Sequence, residues 1–450
     1  RVDGKVIFVE QVVPGDVVDI QLTKSKKDWA EGFAKTLHSP STQRIQPFCE
    51  HFGACGGCQW QMLPYSQQLQ YKHQQVVDNL TRIGKLQLPT IEPILGCTET
   101  AYYRNKMEYT FATRRFVPQQ EFQTIKHLPE EEFNGLTGPA AGFHAKGVFD
   151  KVVGIQQCHL QAEPTNELRN AILAFAKQHH YTFYNIKTHQ GFLRNLQIRL
   201  ASTGELMVNI VVGENNAAWL KALVAFVLQQ FPAITTLHYT INTKWNDSIY
   251  DLTPVTVKGP GYIVEKLGKY RFKISPKSFF QTNSRQAENL YTITQQFAEL
   301  TGTETVYDLY CGTGSIGIFV SEGAKQLIGV EMVADAIEDA KENAALNQLN
   351  HTHFYAGDVI DICNDAFFAQ HGRPDVIITD PPRAGMHEKL VLKLLEIAAP
   401  RIVYVSCNPA TQARDLQLLQ EKYAITKVQP VDMFPQTLHI ENVVQLTLKQ

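Results

Sequence analysis

Beyond Ser275 the chain alternates short β-branched, apolar runs with stretches of helical periodicity, and that rhythm admits few folds. A helix over 283–300 leads to a strand over 305–309, and the loop Asp308-Leu-Tyr-Cys-Gly-Thr-Gly-Ser315 opens the next helix. Strands over 326–330, 353–356, 375–379 and 401–405 follow, with a helix over 334–346 between the first two. Strands joined by helices run parallel, because each crossover returns the chain to the same end of the sheet. A parallel sheet of this kind gathers its ligands at the carboxyl ends of its strands.

Those ends carry acids. Gly312 and Gly314 permit a tight turn and let a ligand approach the backbone. Glu331 closes the second strand about 20 residues further on, where a carboxylate can accept both hydroxyls of a ribose. Asp358 ends the third strand, within reach of an adenine amine. A dinucleotide phosphate would call for a third glycine, where Ser315 stands, and for no acid nearby. Asp308, Glu331 and Asp358 at three successive strand ends suit a zwitterionic nucleoside such as S-adenosylmethionine.

The fourth strand ends in Thr379-Asp-Pro-Pro-Arg-Ala-Gly385 and the fifth in Ser406-Cys-Asn-Pro409, where donor and acceptor of a transferred group should meet. Methyltransferases of amide or amino nitrogens carry an aromatic residue after Asp/Asn-Pro-Pro to stack the acceptor. Arg383 stands there instead, which argues against that class. Cys407 is either a buried structural thiol or a nucleophile facing the cofactor. Uracil offers a reason for the second: its carbon 5 becomes nucleophilic once a thiolate adds at carbon 6 and leaves an enolate.

Eight cysteines in 450 residues do not make a disulfide scaffold, and the N-terminus shows no secretory pattern. The expected location is therefore cytoplasmic, and no apolar run is long enough for a membrane span. Cys49, Cys55 and Cys58 fall within ten residues, with Gly56-Gly57 letting the loop wrap closely, and read as metal ligands. Cys158, after a strand-like segment, is the candidate for a fourth ligand; Cys97, Cys311 and Cys363 read as structural. A net charge of −2 makes no global case for nucleic acid, so an RNA surface must come from local clusters. Arg104 and Arg194, each among interleaved aromatic residues, are the candidates.

Residues 1–46 alternate as short strands with a turn at Pro14-Gly15, the pattern of part of a small β-barrel. A helix over 66–83 stops at Gly84. The stretch 102–272 reads as mostly β, with helices near 164–178 and 217–230 and an exposed polar insertion at 118–138.

Ser278-Phe-Phe-Gln-Thr-Asn283, the glycine loop 308–314, Asp380-Pro-Pro-Arg-Ala-Gly385, Ser406-Cys-Asn-Pro-Ala410 and Asp432-Met-Phe-Pro435 with His439-Ile-Glu441 together resemble the RNA uracil-5-methyltransferases. The resemblance implies Cys407 as nucleophile and Glu441 as the base at carbon 5. It implies cofactor contacts from Gln281, Tyr310, Ser315, Glu331, Asp358 and Asp380. The cysteine loop resembles that of the iron–sulfur subgroup containing the 23S ribosomal RNA enzymes, which implies a 4Fe-4S cluster on Cys49, Cys55, Cys58 and Cys158; zinc is the alternative. The absence of a second cysteine at 378–385 separates the chain from the cytosine-5 enzymes.

The expected fold is α/β, with a Rossmann-like methyltransferase domain over 273–450, a mostly β iron–sulfur and RNA-binding domain over 47–272, and an OB-like β-barrel over 1–46. The helical segment at about 64–95 is expected to pack on the catalytic domain. The expected partner is RNA, 23S ribosomal RNA before transfer RNA, with no obligate protein partner. A non-catalytic ribosome-assembly protein is the competing class, and intact Cys407 and Glu441 speak against it. An iron–sulfur redox protein would want a flavin or nicotinamide fingerprint, which the sequence lacks.

Overall fold

The computed structural model describes Val2 and residues 4–450; Arg1, part of the expected barrel, lies outside the described residues, as does Asp3. β1 (Val6–Glu10), β2 (Val17–Ser25) and β3 (Trp29–Ser39) form a sheet ordered β1-β3-β2, with β1 parallel and β2 antiparallel to β3. Only part of a barrel is expected here, and among the described residues these three strands form an open sheet with Phe8, Leu22 and Phe33 exposed. α1 (Tyr65–Asp78) runs into a π-helical turn, Asn79–Ile83, that stops at Gly84.

The middle of the chain is a seven-stranded sheet ordered β10-β9-β8-β7-β4-β5-β6. Its strands are β4 (Lys106–Ala112), β5 (Ala140–His144), β6 (Val152–Gly154), β7 (Leu193–Leu200), β8 (Leu206–Val212), β9 (Thr236–Ile241) and β10 (Val255–Lys258). The insertion read as polar and exposed carries two short helices, α2 (Gln119–Ile125) and α3 (Glu130–Thr137), joined through an edge-on Phe122–Phe133 contact. α4 (Thr165–Gln178) and α5 (Ala217–Gln230) supply Leu168, Ile172, Leu223 and Val227 to this domain's core.

The hairpin β11 (Ile263–Leu267) and β12 (Tyr270–Ile274) leads into α6 (Ser284–Ala298), capped by the Asn283 side chain. Then come β13 (Thr305–Leu309), α7 (Ser315–Val320), β14 (Gln326–Glu331), α8 (Ala334–Leu346), β15 (Thr352–Ala356), α9 (Val359–Ile362) and α10 (Asp365–His371). β16 (Val376–Thr379), α11 (Glu388–Ile397), β17 (Arg401–Ser406), α12 (Pro409–Leu419), β18 (Tyr423–Val431) and β19 (Glu441–Leu448) complete the chain. The sheet order is β15-β14-β13-β16-β17-β19-β18. Its first five strands are parallel, as expected, but β19 enters antiparallel between β17 and β18. That reversal matters, because it brings the start of β19 to the carboxyl end of β17.

α1 buries a polar stripe of Gln68 and Lys72 with Val76, so it docks through specific bonds as well as apolar contact. Lys72 Nζ lies 2.7 Å from Asp432 Oδ1, with both side chains fully buried, and also donates to the Phe434 carbonyl at 3.1 Å. Tyr65 OH donates to the other Asp432 oxygen at 2.9 Å, and Cys97 Sγ donates to the Asp432 carbonyl at 3.0 Å. Gln68 exchanges hydrogen bonds with Gln436. Val76, Leu80 and Leu86 join the core beneath β13, β16 and β17. α1 is thus fastened to the loop that leads into β19.

A buried ion pair adds little over an apolar replacement of both partners, but losing one partner strands the other charge. Lys72→Met is expected to cost about 3–5 kcal/mol of stability, read as a lowered denaturation midpoint. A loss below about 1 kcal/mol, the range of exposed pairs, would contradict this account of the pair.

Candidate active site

The nucleophile and base expected from the sequence meet through strand register. The β17–β19 ladder ends with Ser406 opposite Asn442, and Cys407 and Glu441 are the residues next to that pair, near enough for the Glu441 charge to act on the thiol. Glu441 is 4% exposed and Cys407 half-buried. Asp380 follows the last residue of β16, whose Thr379 pairs with Tyr404 of β17. A thiol and two carboxyls therefore share one end of the sheet.

The electrostatics follow from that crowding. Burial, then the Glu441 and Asp380 carboxyls, push the Cys407 thiol up to about 11, while Arg383 pulls the other way. Burial and Asp380 together raise the Glu441 carboxyl well above the ordinary carboxylate range, again opposed by Arg383. Burial raises Asp380 as well. Two carboxyls so placed cannot both ionise freely, which retains a proton between them.

Two loops hold these groups in place. Asn408 caps α12 by accepting from Ala410 N at 3.1 Å and donates to the Arg383 carbonyl at 3.0 Å. Thr411 Oγ1 donates to the same carbonyl at 3.2 Å. Arg383 Nη2 approaches both ring nitrogens of His439 at 3.3 Å. Burial, with Arg383, Lys72 and Arg104 nearby, drives the His439 imidazole down to about 4, so it is neutral at physiological pH. Arg383 and Asn408 were not singled out as site residues from the sequence. Their signal was present in the residue after Pro381-Pro382 and the residue after Cys407, but their tie becomes evident only when the two loops touch.

The cofactor side is built from β13 and β14. Tyr310, Gly312 and Gly314 have φ values of 61°, 53° and 76°, so the backbone turns through the left-handed region three times in five residues. A Cβ on Gly312 would meet nothing within 4 Å, which leaves room for a ligand against that peptide. Glu331 is oriented by Gly312 N at 3.2 Å and Val333 N at 3.0 Å. Asp358 Oδ1 caps α9 through Ile360 N at 2.8 Å, and Ser315 Oγ pairs with Tyr291 OH at 2.9 Å. Gln281 is held through its carbonyl, which accepts from Asn105 Nδ2 at 2.9 Å. Asp308 Oδ2 accepts from Gly317 N at 2.9 Å, whereas its buried Oδ1 has no partner. Burial pushes the Asp308 carboxyl up to about 8. An orphaned acid, an open glycine peptide and a carboxylate oriented by two backbone amides together fit S-adenosylmethionine.

Cys49, Cys55, Cys58 and Cys158 line one cavity of about 390 Å³, with Arg104, His159, Thr437 and His439 on its other walls. Burial raises all four thiols, Cys55 to about 11 and Cys58 to about 12. Fully buried Arg169 bonds Asn166, whose side chain accepts from Cys158 N at 2.7 Å, and supplies positive charge close to the thiols. Gly57 N points at Cys55 Sγ, 3.4 Å away. Among the described residues, no group of three or more His, Cys, Asp or Glu is arranged to hold a single metal ion.

The two arginines part company. Arg104 is half-buried on the cavity wall, 5.7 Å from the centre of the Phe434 ring. Arg194 is 2% exposed, and this corrects its reading as an RNA contact. Its guanidinium is consumed by Asp247 and by the carbonyls of Asn242, Lys244 and Asn246.

The sequence profile of the tRNA (Uracil-5-)-methyltransferase family matches residues 261–449. An uncharacterised RNA methyltransferase of Bacteroides thetaiotaomicron is 53% identical over 453 residues, covering 100% of this chain and 98% of its own length. One from Porphyromonas gingivalis is 49% identical over 99% of this chain and 96% of its own length. The crystal structure of the Pyrococcus abyssi tRNA (uracil-54, C5)-methyltransferase with S-adenosyl-L-homocysteine is similar over 98% of this chain and 96% of that one, with a TM-score of 0.74 and 27% identity.

The raised thiol has a direct consequence. Alkylation of Cys407 by iodoacetamide, followed by mass spectrometry of its peptide, is expected to rise about tenfold per pH unit between pH 7 and 9, because only the thiolate reacts. The rise should continue toward pH 11, and Glu441→Gln should shift it to lower pH by removing a neighbouring negative charge. A plateau near the free-cysteine value of about 8.5 would contradict the geometry.

Proposed function

The chain belongs to the RNA (uracil-5-)-methyltransferase family, and from that premise we propose that it methylates carbon 5 of a uridine in folded RNA through a covalent Cys407 intermediate. The observation that carries this reading is the β17–β19 register, which sets a thiol near a buried carboxyl with Asp380 beside them. S-adenosylmethionine, held by Gln281, Tyr310, Ser315, Glu331, Asp358 and Asp380, supplies the methyl group. Folded RNA delivers the base by extruding it from its stack.

Cys407 Sγ loses its proton to water, the resulting thiolate bonds to carbon 6, and the π pair of the 5–6 double bond moves into an enolate ending on O4. Arg383, the cation facing Cys407 and Glu441, favours that negative charge. Once carbon 5 carries its methyl group, the ionised Glu441 carboxylate takes the remaining proton there. The electrons of that bond restore the double bond and expel the Cys407 thiolate. Burial makes Glu441 a stronger base than an exposed carboxylate, which is what a weakly acidic carbon–hydrogen bond requires.

The four cavity cysteines supply the all-thiolate ligand set of a 4Fe-4S cluster, with zinc as the alternative. The supported role is structural. Gln59 N and Trp60 N, just past Cys58, both donate to the Gln436 carbonyl, at 2.8 and 3.0 Å, so the loop braces the turn that leads to His439 and Glu441. Anaerobically purified protein is expected to be brown with stoichiometric iron and sulfide. Cys158→Ala should lose both, whereas Cys97→Ala should retain both. Colourless protein holding zinc would overturn the cluster assignment.

The ribosomal target rested on the cysteine loop and the N-terminal sheet. The Pyrococcus abyssi transfer-RNA enzyme matches 98% of this chain, so those features do not separate the two RNAs. The reading remains 23S ribosomal RNA first, with transfer RNA as the alternative that this similarity supports. Mapping 5-methyluridine in both RNAs, from cells lacking and cells expressing the protein, decides between them. A site lost with the gene and restored by it is expected in 23S RNA; restoration in transfer RNA alone moves the assignment, and no restored site removes the function.

A further inference from the structure

The loop 242–251 is rigid for a reason that catalysis does not supply. Arg194, buried in β7, reaches into it with hydrogen bonds to the carbonyls of Asn242 at 2.8 Å, Lys244 at 2.6 Å and Asn246 at 2.7 Å. Asn242 Nδ2 closes the loop onto the Asn246 carbonyl at 2.9 Å. A fully buried guanidinium spent on three carbonyls of one short loop fixes its shape, since stranding any of those bonds would leave a charge unsolvated. At the tip of that loop Trp245 is 77% exposed.

Trp245 is not left to rotate. Its ring lies on the His189 imidazole with centroids 4.7 Å apart and planes within 4° of parallel. His189 is itself fixed: its backbone sits at φ 56°, a conformation that is strained for this residue, and its Nδ1 lies 3.1 Å from Tyr184 OH. The face of Tyr184 in turn carries the Arg194 guanidinium, 4.1 Å from the ring centre. One chain of contacts thus runs from the buried arginine over the Tyr184 ring, through the Tyr184–His189 hydrogen bond, to the His189–Trp245 stack and an indole that is largely exposed.

The charges around it cancel. Lys187 pairs with Asp150, Lys244 with Asp251, and Arg194 with Asp247. The place suits a flat, uncharged π surface better than a phosphate. The loop also abuts the catalytic domain, where Lys277 Nζ donates to the Tyr250 carbonyl at 3.1 Å and pairs with Asp335. Lys277 lies four residues before Gln281 and two before Phe279, so the platform stands beside the segment that serves the cofactor site.

We propose that the Trp245–His189 pair is a stacking platform for an unpaired base of the substrate RNA, outside the pocket that receives the target uracil. The proposal rests on the uracil-5-methyltransferase reading for the identity of the RNA, and its chemistry is that of single-stranded recognition, in which an aromatic face receives any base. Arg194 thereby acts on RNA at one remove, as the residue that holds the platform.

The probe is ribosomal and transfer RNA isolated from cells lacking the protein, used for both filter binding and methylation with the full chain. Trp245→Ala should weaken RNA binding and raise the KM for RNA about tenfold, with kcat, the KM for S-adenosylmethionine and the melting temperature unchanged. Trp245→Phe should recover most of the loss. The slope of log affinity against log salt should stay as in the wild type, because no phosphate contact is removed, whereas Arg104→Ala should lower it by about one. Quenching of tryptophan fluorescence on adding RNA should be larger in the wild type than in Trp245→Phe, the difference being the share of Trp245 among the four tryptophans. Unchanged RNA affinity in Trp245→Ala, or equal quenching in Trp245→Phe and the wild type, overturns the platform. A wild type that binds these RNAs more tightly than Trp245→Ala but methylates neither leaves the platform standing and removes the function reading instead.

Discussion

Glu441 and Asp380 are carboxyls crowded beside a thiol at the end of one sheet, and Arg383 is the cation that faces them. Desolvation and mutual repulsion disfavour charge on all three acids. The arrangement persists because the surrounding backbone leaves the side chains no alternative: β19 runs antiparallel into the sheet and delivers Glu441 near Cys407 by register alone. Asp308 repeats the theme on the cofactor side. Its carboxyl, raised to about 8, contributes to stability in acid and loses that contribution as pH rises from about 4 to 8. A ligand bearing positive charge offsets such a cost when it binds.

Because so much depends on the start of β19, the loop before it is braced from several sides. α1 holds it through the buried Lys72–Asp432 pair, Tyr65 and Gln68. The cysteine loop holds it through Gln59 and Trp60 on the Gln436 carbonyl. Asn283, which caps α6, reaches the Met433 carbonyl at 2.9 Å. Segments far apart in sequence thus converge on eight residues, Asp432 to His439, that set the position of Glu441. Cys97, with its thiol on the Asp432 carbonyl, belongs to this brace.

The catalytic domain was legible because its signals are local. Apolar runs, glycine loops and caps within a few residues specify parallel strands and helices, and β13 and α8 span the expected residues. What was not legible depends on distant partners. The insertion of β19 between β17 and β18 follows from tertiary pairing, which no period in the sequence announces. Arg194 misled for the same reason: an arginine beside aromatic residues looks alike whether it faces solvent or, as here, three carbonyls of a loop about fifty residues away.

The central claim is that Cys407 forms the bond to uracil and Glu441 is needed only to resolve it. The most direct measurement is denaturing electrophoresis after incubating substrate RNA with methyl-labelled S-adenosylmethionine and either Cys407→Ala or Glu441→Gln protein. The account predicts no adduct with Cys407→Ala. With Glu441→Gln it predicts a denaturation-resistant protein–RNA adduct that carries the label, because addition and methylation precede the step that needs the base. Near-normal turnover by Glu441→Gln, or an adduct formed by Cys407→Ala, would contradict it.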